Sequence, residues 1–234
     1  MDCAQLKTFY ESSLGGVARR ALCRSIRTIW PKSKGERVLG LGYTSPFIRP
    51  FMDDAQAVYL AIPQRFGALP WPHLGPNCVT LTDPQNLPFA PGTFDKILMV
   101  HGLEFMEHSG PVLEECWRIL APGGRLLICT PNRTGIWSHM DRTPFGYGAP
   151  FTARQLTEHL TQCYLTPLSV TYSLMMPPTH RRTLLKFFSQ TEHFSNGLCK
   201  KLAGVIIMEA QKKIYQPIGQ QTLLAHRTFV LNPA

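Results

Sequence analysis

The residues best suited to chemistry in this chain lie just beyond its apolar runs. After the run from Phe94 to Val100 come His101 and, three residues on, Glu104. An imidazole at the end of a buried strand can take up a proton near neutral pH, so His101 is the candidate catalytic base. The competing reading is a histidine that only packs there. Glu104 and Glu107 read as acids in the first turn of a following helix. A second group follows Val38-Leu39, as Gly40-Leu41-Gly42-Tyr43-Thr44-Ser45-Pro46. Glycines in such a turn let a ligand approach the backbone. A third is Asp83 before Pro84, followed by Asn86 and Leu87. An Asp before Pro commonly caps a turn. The fourth is the stretch from Pro131 to Gly148, 18 residues of loop and so longer than most connections. Its Arg133 and Arg142 could hold an acidic group, and Trp137, Phe145 and Tyr147 could cover it. The alternative is a packed lid with exposed arginines.

The elements that position these groups are clearest from Leu87 to Asn132. FDKILMV has the length and composition of a buried strand. Pro111 suits a first helical turn, because its fixed φ and missing N–H cost nothing there. Val112, Leu113, Cys116, Ile119 and Leu120 recur at helical spacing, with Glu114, Glu115 and Arg118 on the rest of the turn. Pro122-Gly123-Gly124 stops the helix, and RLLICT is a second strand. Two parallel strands joined by a helix need about this much chain. The unit predicts a doubly wound α/β fold, a Rossmann-like sheet of seven mostly parallel strands with helices on both faces.

The rest of the chain follows the same grammar. Residues 2–13 and 16–30 read as two helices broken at Gly15-Gly16. Further strands are expected at ERVLGLG, AVYLAI, NCVTLT and LTPLSVTYSL, a helix at 152–160, and an edge strand within 201–215. The chain is expected to form a single domain. Residues 1–34 would be an N-terminal helical cap, 35–173 the core sheet, 174–200 an insertion over the sheet, and 201–234 the last strand and tail.

Composition narrows the function classes. A chain of 234 residues, 44% hydrophobic and 17% charged, can build a core. No apolar run approaches the roughly 20 residues that span a bilayer. The N-terminus lacks the basic start and apolar stretch of a secretory signal. Seven cysteines without a CxxC pair suggest reduced thiols in a cytoplasmic protein and no metal site. The net charge is +9, and between His180 and Lys213 seven Lys and Arg face two Glu. That fits an acidic substrate, RNA or an anionic membrane surface. No RNA-binding motif accompanies it, so a nucleic-acid partner is not expected. Leu184, Leu185, Phe187 and Phe188 beside Arg181, Arg182 and Lys186 allow peripheral membrane contact, or a helix packed on its own domain.

The order LPF, FD plus strand, a helix ending WRILAPGGRL, and a strand ending TPN resembles the class I S-adenosylmethionine-dependent methyltransferases. The small-molecule group with the quinone and biotin-pathway enzymes is the nearest type, and the resemblance covers about residues 35–132. It implies S-adenosyl-L-methionine as cofactor and a small-molecule acceptor. It also implies that Gly40, Gly42 and Tyr43 line the cofactor's methionine side, with His101 beside it. Asp83, flanked by Asn86 and Leu87, would meet the adenine. The family's loop after strand one reads V-L-D-L-G-x-G-x-G; here its acid is Gly40 and its later glycines are Thr44 and Pro46. The family's ribose-binding acid at the end of strand two is also missing, and Gln64 is the nearest polar substitute. GLGYTS approximates a dinucleotide fingerprint, but the same missing acid argues against it. Three functions follow: methyl transfer to a small, acidic or lipophilic acceptor; an inactive scaffold of the same fold; or RNA methylation through the basic 181–213 stretch.

Overall fold

The computed structural model describes residues 1–67, 69–72, 74–178 and 202–214. Most of the basic and aromatic stretch after Met175, and the tail from residue 215, lie outside the described residues. Two helices, α1 (Cys3–Glu11) and α2 (Ser13–Ile29), precede the sheet. Its strands are β1 (Arg37–Gly42), β2 (Ala57–Pro63), β3 (Val79–Thr82), β4 (Phe94–Val100), β5 (Leu120–Pro131), β6 (Leu165–Ser173) and β7 (Val205–Lys212). A short α3 (Ser45–Ile48) follows β1, α4 (Ser109–Ile119) joins β4 to β5, and α5 (Ala153–Gln162) precedes β6.

The strand order is β3-β2-β1-β4-β5-β7-β6, with β7 antiparallel to both of its neighbours. The chain reverses its direction of travel across the sheet between β1 and β4, and such a switch point is where this fold leaves a ligand crevice. Side chains alternate between two apolar layers. Val38, Leu98, Val100, Leu127 and Ile207 face α1–α3, while Leu39, Ile97, Met99, Leu126 and Ile206 face α4 and α5. Both faces are covered, which is why the central strands read as continuous apolar runs.

Two expectations change. The helix break lies at Ser12, not at Gly15-Gly16. Ser12 ends α1 and caps α2, its hydroxyl accepting from the Gly15 N–H at 3.1 Å. Gly15 lies within α2, and only glycine fits there because a side chain would strike the Phe9 carbonyl. β7 is not an edge strand but is paired on both sides, between β5 and β6. Val205 to Ala210 are all buried, so both faces of this strand carry core residues.

Candidate active site

The switch point is furnished mainly by three segments: the turn after β1, the turn after β4, and α1 folding over both. Gly42 ends β1 with φ +88°, and a Cβ there would stand 2.5 Å from the Val100 carbonyl oxygen. Glycine is therefore required for β1 and β4 to meet at their ends. The Tyr43 N–H donates to the same oxygen at 2.8 Å.

At the end of β4, His101 takes a left-handed backbone with φ +49° and is 1% exposed. Such a conformation is uncommon outside glycine and clusters at functional sites. Its Nδ1 lies 3.0 Å from Glu104 Oε1 and its Nε2 lies 2.5 Å from the Tyr10 hydroxyl. With Nδ1 donating to the carboxylate, Nε2 is left as acceptor for the phenolic O–H. Glu104 is 2% exposed and sits on a 3₁₀ turn, Leu103–Phe105, rather than in the first turn of α4. Its second oxygen, Oε2, is buried with no hydrogen-bond partner among the described residues. Burial, and after it the charge of Glu104, hold the Tyr10 hydroxyl well above the ordinary phenol range.

Aromatic rings enclose this pair. Tyr10 stacks on Tyr43 at 5.9 Å and meets Phe47 edge-on at 5.3 Å. Phe145 lies 5.1 Å from the His101 ring and 5.3 Å from Trp137. Trp137 is fully buried and donates from Nε1 to the Met176 carbonyl at 2.6 Å. Beyond β2, Arg65 donates to the Phe105 carbonyl, and Phe66 packs edge-on against Phe105 at 5.4 Å. The turns after β2 and β4 are thereby tied together across the end of β1. A cavity of about 220 Å³ remains beside them, lined in part by Tyr10, Tyr43, Ile62 and Trp71. Ligand sites usually offer roughly 300 Å³ or more.

The residues expected from sequence separate into two sets. Gly40, Gly42, Tyr43 and His101 converge on the switch point, with Phe145 and Trp137 over it. Gly40 faces the Thr44 side chain, which fills the space a Cβ would need. Asp83, Asn86 and Gln64 stand on exposed turns at the β2–β3 side. Asp83 Oδ1 accepts from the Gln85 N–H at 3.0 Å, so this residue does cap its turn. The Leu87 side chain is buried, and its N–H donates to Glu115 at 2.8 Å. Arg133 donates to the Pro150 carbonyl at 3.1 Å. Tyr147 is exposed, and Arg142 lies on the outer side of α1 near Gln5 and Phe9. Tyr10 and the inward role of Glu104 were not foreseen. The i, i+3 spacing of His101 and Glu104 was the available signal; the pairing with Tyr10 had none, because it is made only by the tertiary fold.

This strand order, with one antiparallel strand among the described residues, is that of the class I methyltransferase fold. An S-adenosylmethionine-dependent methyltransferase from Thermotoga maritima, described as a possible histamine N-methyltransferase, superposes with a TM-score of 0.63. It is 16% identical, over 88% of this chain and 94% of its own. A putative methyltransferase from Haloferax volcanii, solved with its Trm112 activator, gives a TM-score of 0.60 at 14% identity over 89% and 97%. In sequence, the family described as a methyltransferase domain matches residues 52–128. The ubiquinone/menaquinone biosynthesis C-methyltransferase of Laribacter hongkongensis is 40% identical over 50 residues, 21% of this chain and 20% of that protein. The demethylmenaquinone methyltransferase of Streptomyces avermitilis is 34% identical over 67 residues, 29% and 26% of the two chains. The matched stretch thus spans about a fifth to a quarter of these curated relatives.

The match over residues 52–128 and the shared fold liken the chain to the class I S-adenosylmethionine-dependent methyltransferases, and S-adenosyl-L-methionine is the cofactor that likeness implies. The residues fit that group in part. Neither Gly40 nor the end of β2 offers a carboxylate for the methionine or ribose groups. The switch point instead holds a buried carboxyl, Glu104, with one oxygen uncommitted among the described residues. No helix among the described residues is long and apolar enough to cross a membrane.

Proposed function

We propose that the chain is an S-adenosylmethionine-dependent methyltransferase acting on a small acidic or lipophilic acceptor, with His101 as its proton acceptor. The observation that supports this most is the His101–Glu104 pair at the switch point of a methyltransferase sheet. The cofactor, when bound, supplies a methyl group on a sulfonium, already activated for displacement. The protein then has to position the acceptor and, where it carries a proton, remove it. Glu104 fixes the imidazole so that Nε2 points to where Tyr10 now places an O–H. Gly42 and Tyr43 would hold the methionine side, and Asp83, Asn86, Leu87 and Gln64 the adenosine side. Trp137 and Phe145 would wall the acceptor, with Arg133, Arg142 and Tyr147 at its entrance. The relatives named for ubiquinone and menaquinone biosynthesis favour a lipophilic, quinone-like acceptor.

Calorimetry with S-adenosylhomocysteine is the test. Micromolar to submillimolar binding, weakened about tenfold by Asp83→Ala, is expected for a charge-assisted contact. Unchanged affinity in that variant reduces Asp83 to its turn-capping bond with Gln85. A second reading, an inactive scaffold, is favoured by the filled crevice: Tyr10, Tyr43, Phe66 and Phe105 pack where a ligand would lie. No heat at millimolar ligand from folded protein would decide for the scaffold.

A further inference from the structure

Glu104 is the buried acid that no part of the sheet requires. Its Oε1 orients His101, which one oxygen suffices to do, while Oε2 is buried without a partner. An uncompensated carboxyl oxygen in a fully buried position costs free energy unless a donor or cation reaches it in some working state. Apart from His101, no described side chain that could carry a positive charge is paired with it. Tyr10 and Cys129 are the titratable groups that feel its charge, and both are neutral acids pushed upward by burial first and by Glu104 second. Two positions that carry carboxylates in the family, Gly40 and the end of β2, carry none here, and Gly40 has no room for one because Thr44 fills the space. The acid at the switch point therefore stands in the turn after β4 and not on β1.

We propose that Glu104 is the positioning residue for the cationic methionine end of the cofactor, its Oε2 accepting from the α-ammonium group, and that Tyr10 holds the place until the ligand enters. This rests on the reading of the chain as a methyltransferase. Tyr10 lines the cavity beside β2 and also donates to His101. A ligand extending from that cavity toward Glu104 has to displace its phenol. The hydrogen-bond position it vacates at His101 Nε2 is then the one an acceptor hydrogen takes.

The test compares S-adenosylhomocysteine, which carries the ammonium, with 5′-methylthioadenosine, which lacks the whole amino-acid end. In Glu104→Gln, affinity for the first is expected to fall about tenfold to a hundredfold, with the second within about twofold of the parent. Tyr10→Phe should bind both ligands at least as tightly as the parent. Equal loss of both ligands in Glu104→Gln would show that Glu104 only supports the fold and overturns the proposal; no loss of either does the same. Should that variant fail to fold, Glu104→Asp retracts the carboxyl by one methylene. It must then weaken S-adenosylhomocysteine selectively, and parallel loss of both ligands overturns the proposal. If the unmodified protein binds neither ligand, the methyltransferase reading itself fails, which is a different outcome from selective failure at Glu104.

Discussion

Tyr10 and His101 stand 91 residues apart in the chain and 2.5 Å apart in space, hydroxyl to Nε2, with neither side chain open to solvent. The bond ties α1 to the end of β4 and makes the N-terminal helix part of the ligand crevice. It also makes the crevice and the stability of the domain share one residue.

That sharing predicts a particular alkaline profile. Burial, and then Glu104, hold Tyr10 well above an ordinary phenol, and burial pushes Tyr43 up to about 12. Buried Cys116 and Cys129 are raised as well, mainly by burial. Each of these groups keeps its proton in the folded state after the unfolded chain begins to lose it. The native state then binds more protons, so stability falls as pH rises, from about pH 9 for the thiols and about pH 10 for the phenols. Tyr10→Phe should cost about 1–3 kcal/mol at neutral pH, because His101 Nε2 loses its buried donor. It should also flatten the decline above pH 10 by up to about 1.4 kcal/mol per pH unit, one proton's share. Urea midpoints between pH 7.5 and 11.5 measure both. Parallel curves for parent and variant would show that Tyr10 does not titrate as its burial implies.

Gly40 predicts why the family acid cannot simply be restored. A Cβ at this position would overlap Thr44 Oγ1 and come within 2.9 Å of Ile48 Cδ1. Gly40→Ala should therefore cost at least about 2 kcal/mol by overpacking, and Gly40→Asp more, without improving S-adenosylhomocysteine binding. Adding Thr44→Gly to Gly40→Ala frees the overlapped space, and should recover about half the loss after its own helix-entry cost. Thermal unfolding of the three variants measures the effect. Full stability in Gly40→Ala alone would mean that the β1–α3 turn yields easily and that the lost acid has no steric cause.

The sheet was legible in the sequence because each central strand is apolar on both faces and bounded by Gly or Pro, as at Phe94–Val100 and Arg125–Pro131. β7 lies inside the sheet although it carries Glu209 and is followed by charged residues, which gives no local sign of its place. In the structure Glu209 is buried, accepting from Trp30 at 2.9 Å and from Arg125 at 3.0 Å. A side chain satisfied by partners distant in sequence leaves no local trace. The same holds at the site. His101 was visible from its place after a strand, whereas Tyr10 lay in a helix whose apolar face gives no sign of what it covers.

The LPF segment, so prominent in the sequence, has a structural explanation that can be tested. Arg118 on α4 donates from Nε and Nη2 to Glu115 at 2.7 Å each, and reaches the carbonyls of Leu87 and Phe89 at 2.9 and 2.8 Å. Glu115 in turn accepts from the Leu87 N–H. Two side chains one turn apart on α4 thus clamp the backbone of the turn that carries Asp83 and Asn86. Arg118→Ala should cost about 2–4 kcal/mol, since it strands two carbonyls and a half-buried carboxylate. Arg118→Lys should recover only part, because a point charge cannot serve the forked acceptors. The Arg118 hydrogen bonds hold Glu115 below the usual carboxylate range. A depressed carboxyl contributes stability above its unfolded value and loses it as pH falls, so the gap between parent and Arg118→Ala should narrow below about pH 4.5. Urea unfolding at pH 7 and pH 3.5, with limited proteolysis of the 83–92 turn, measures the clamp. A gap of constant size across that range would show that Glu115 gains nothing from its arginine.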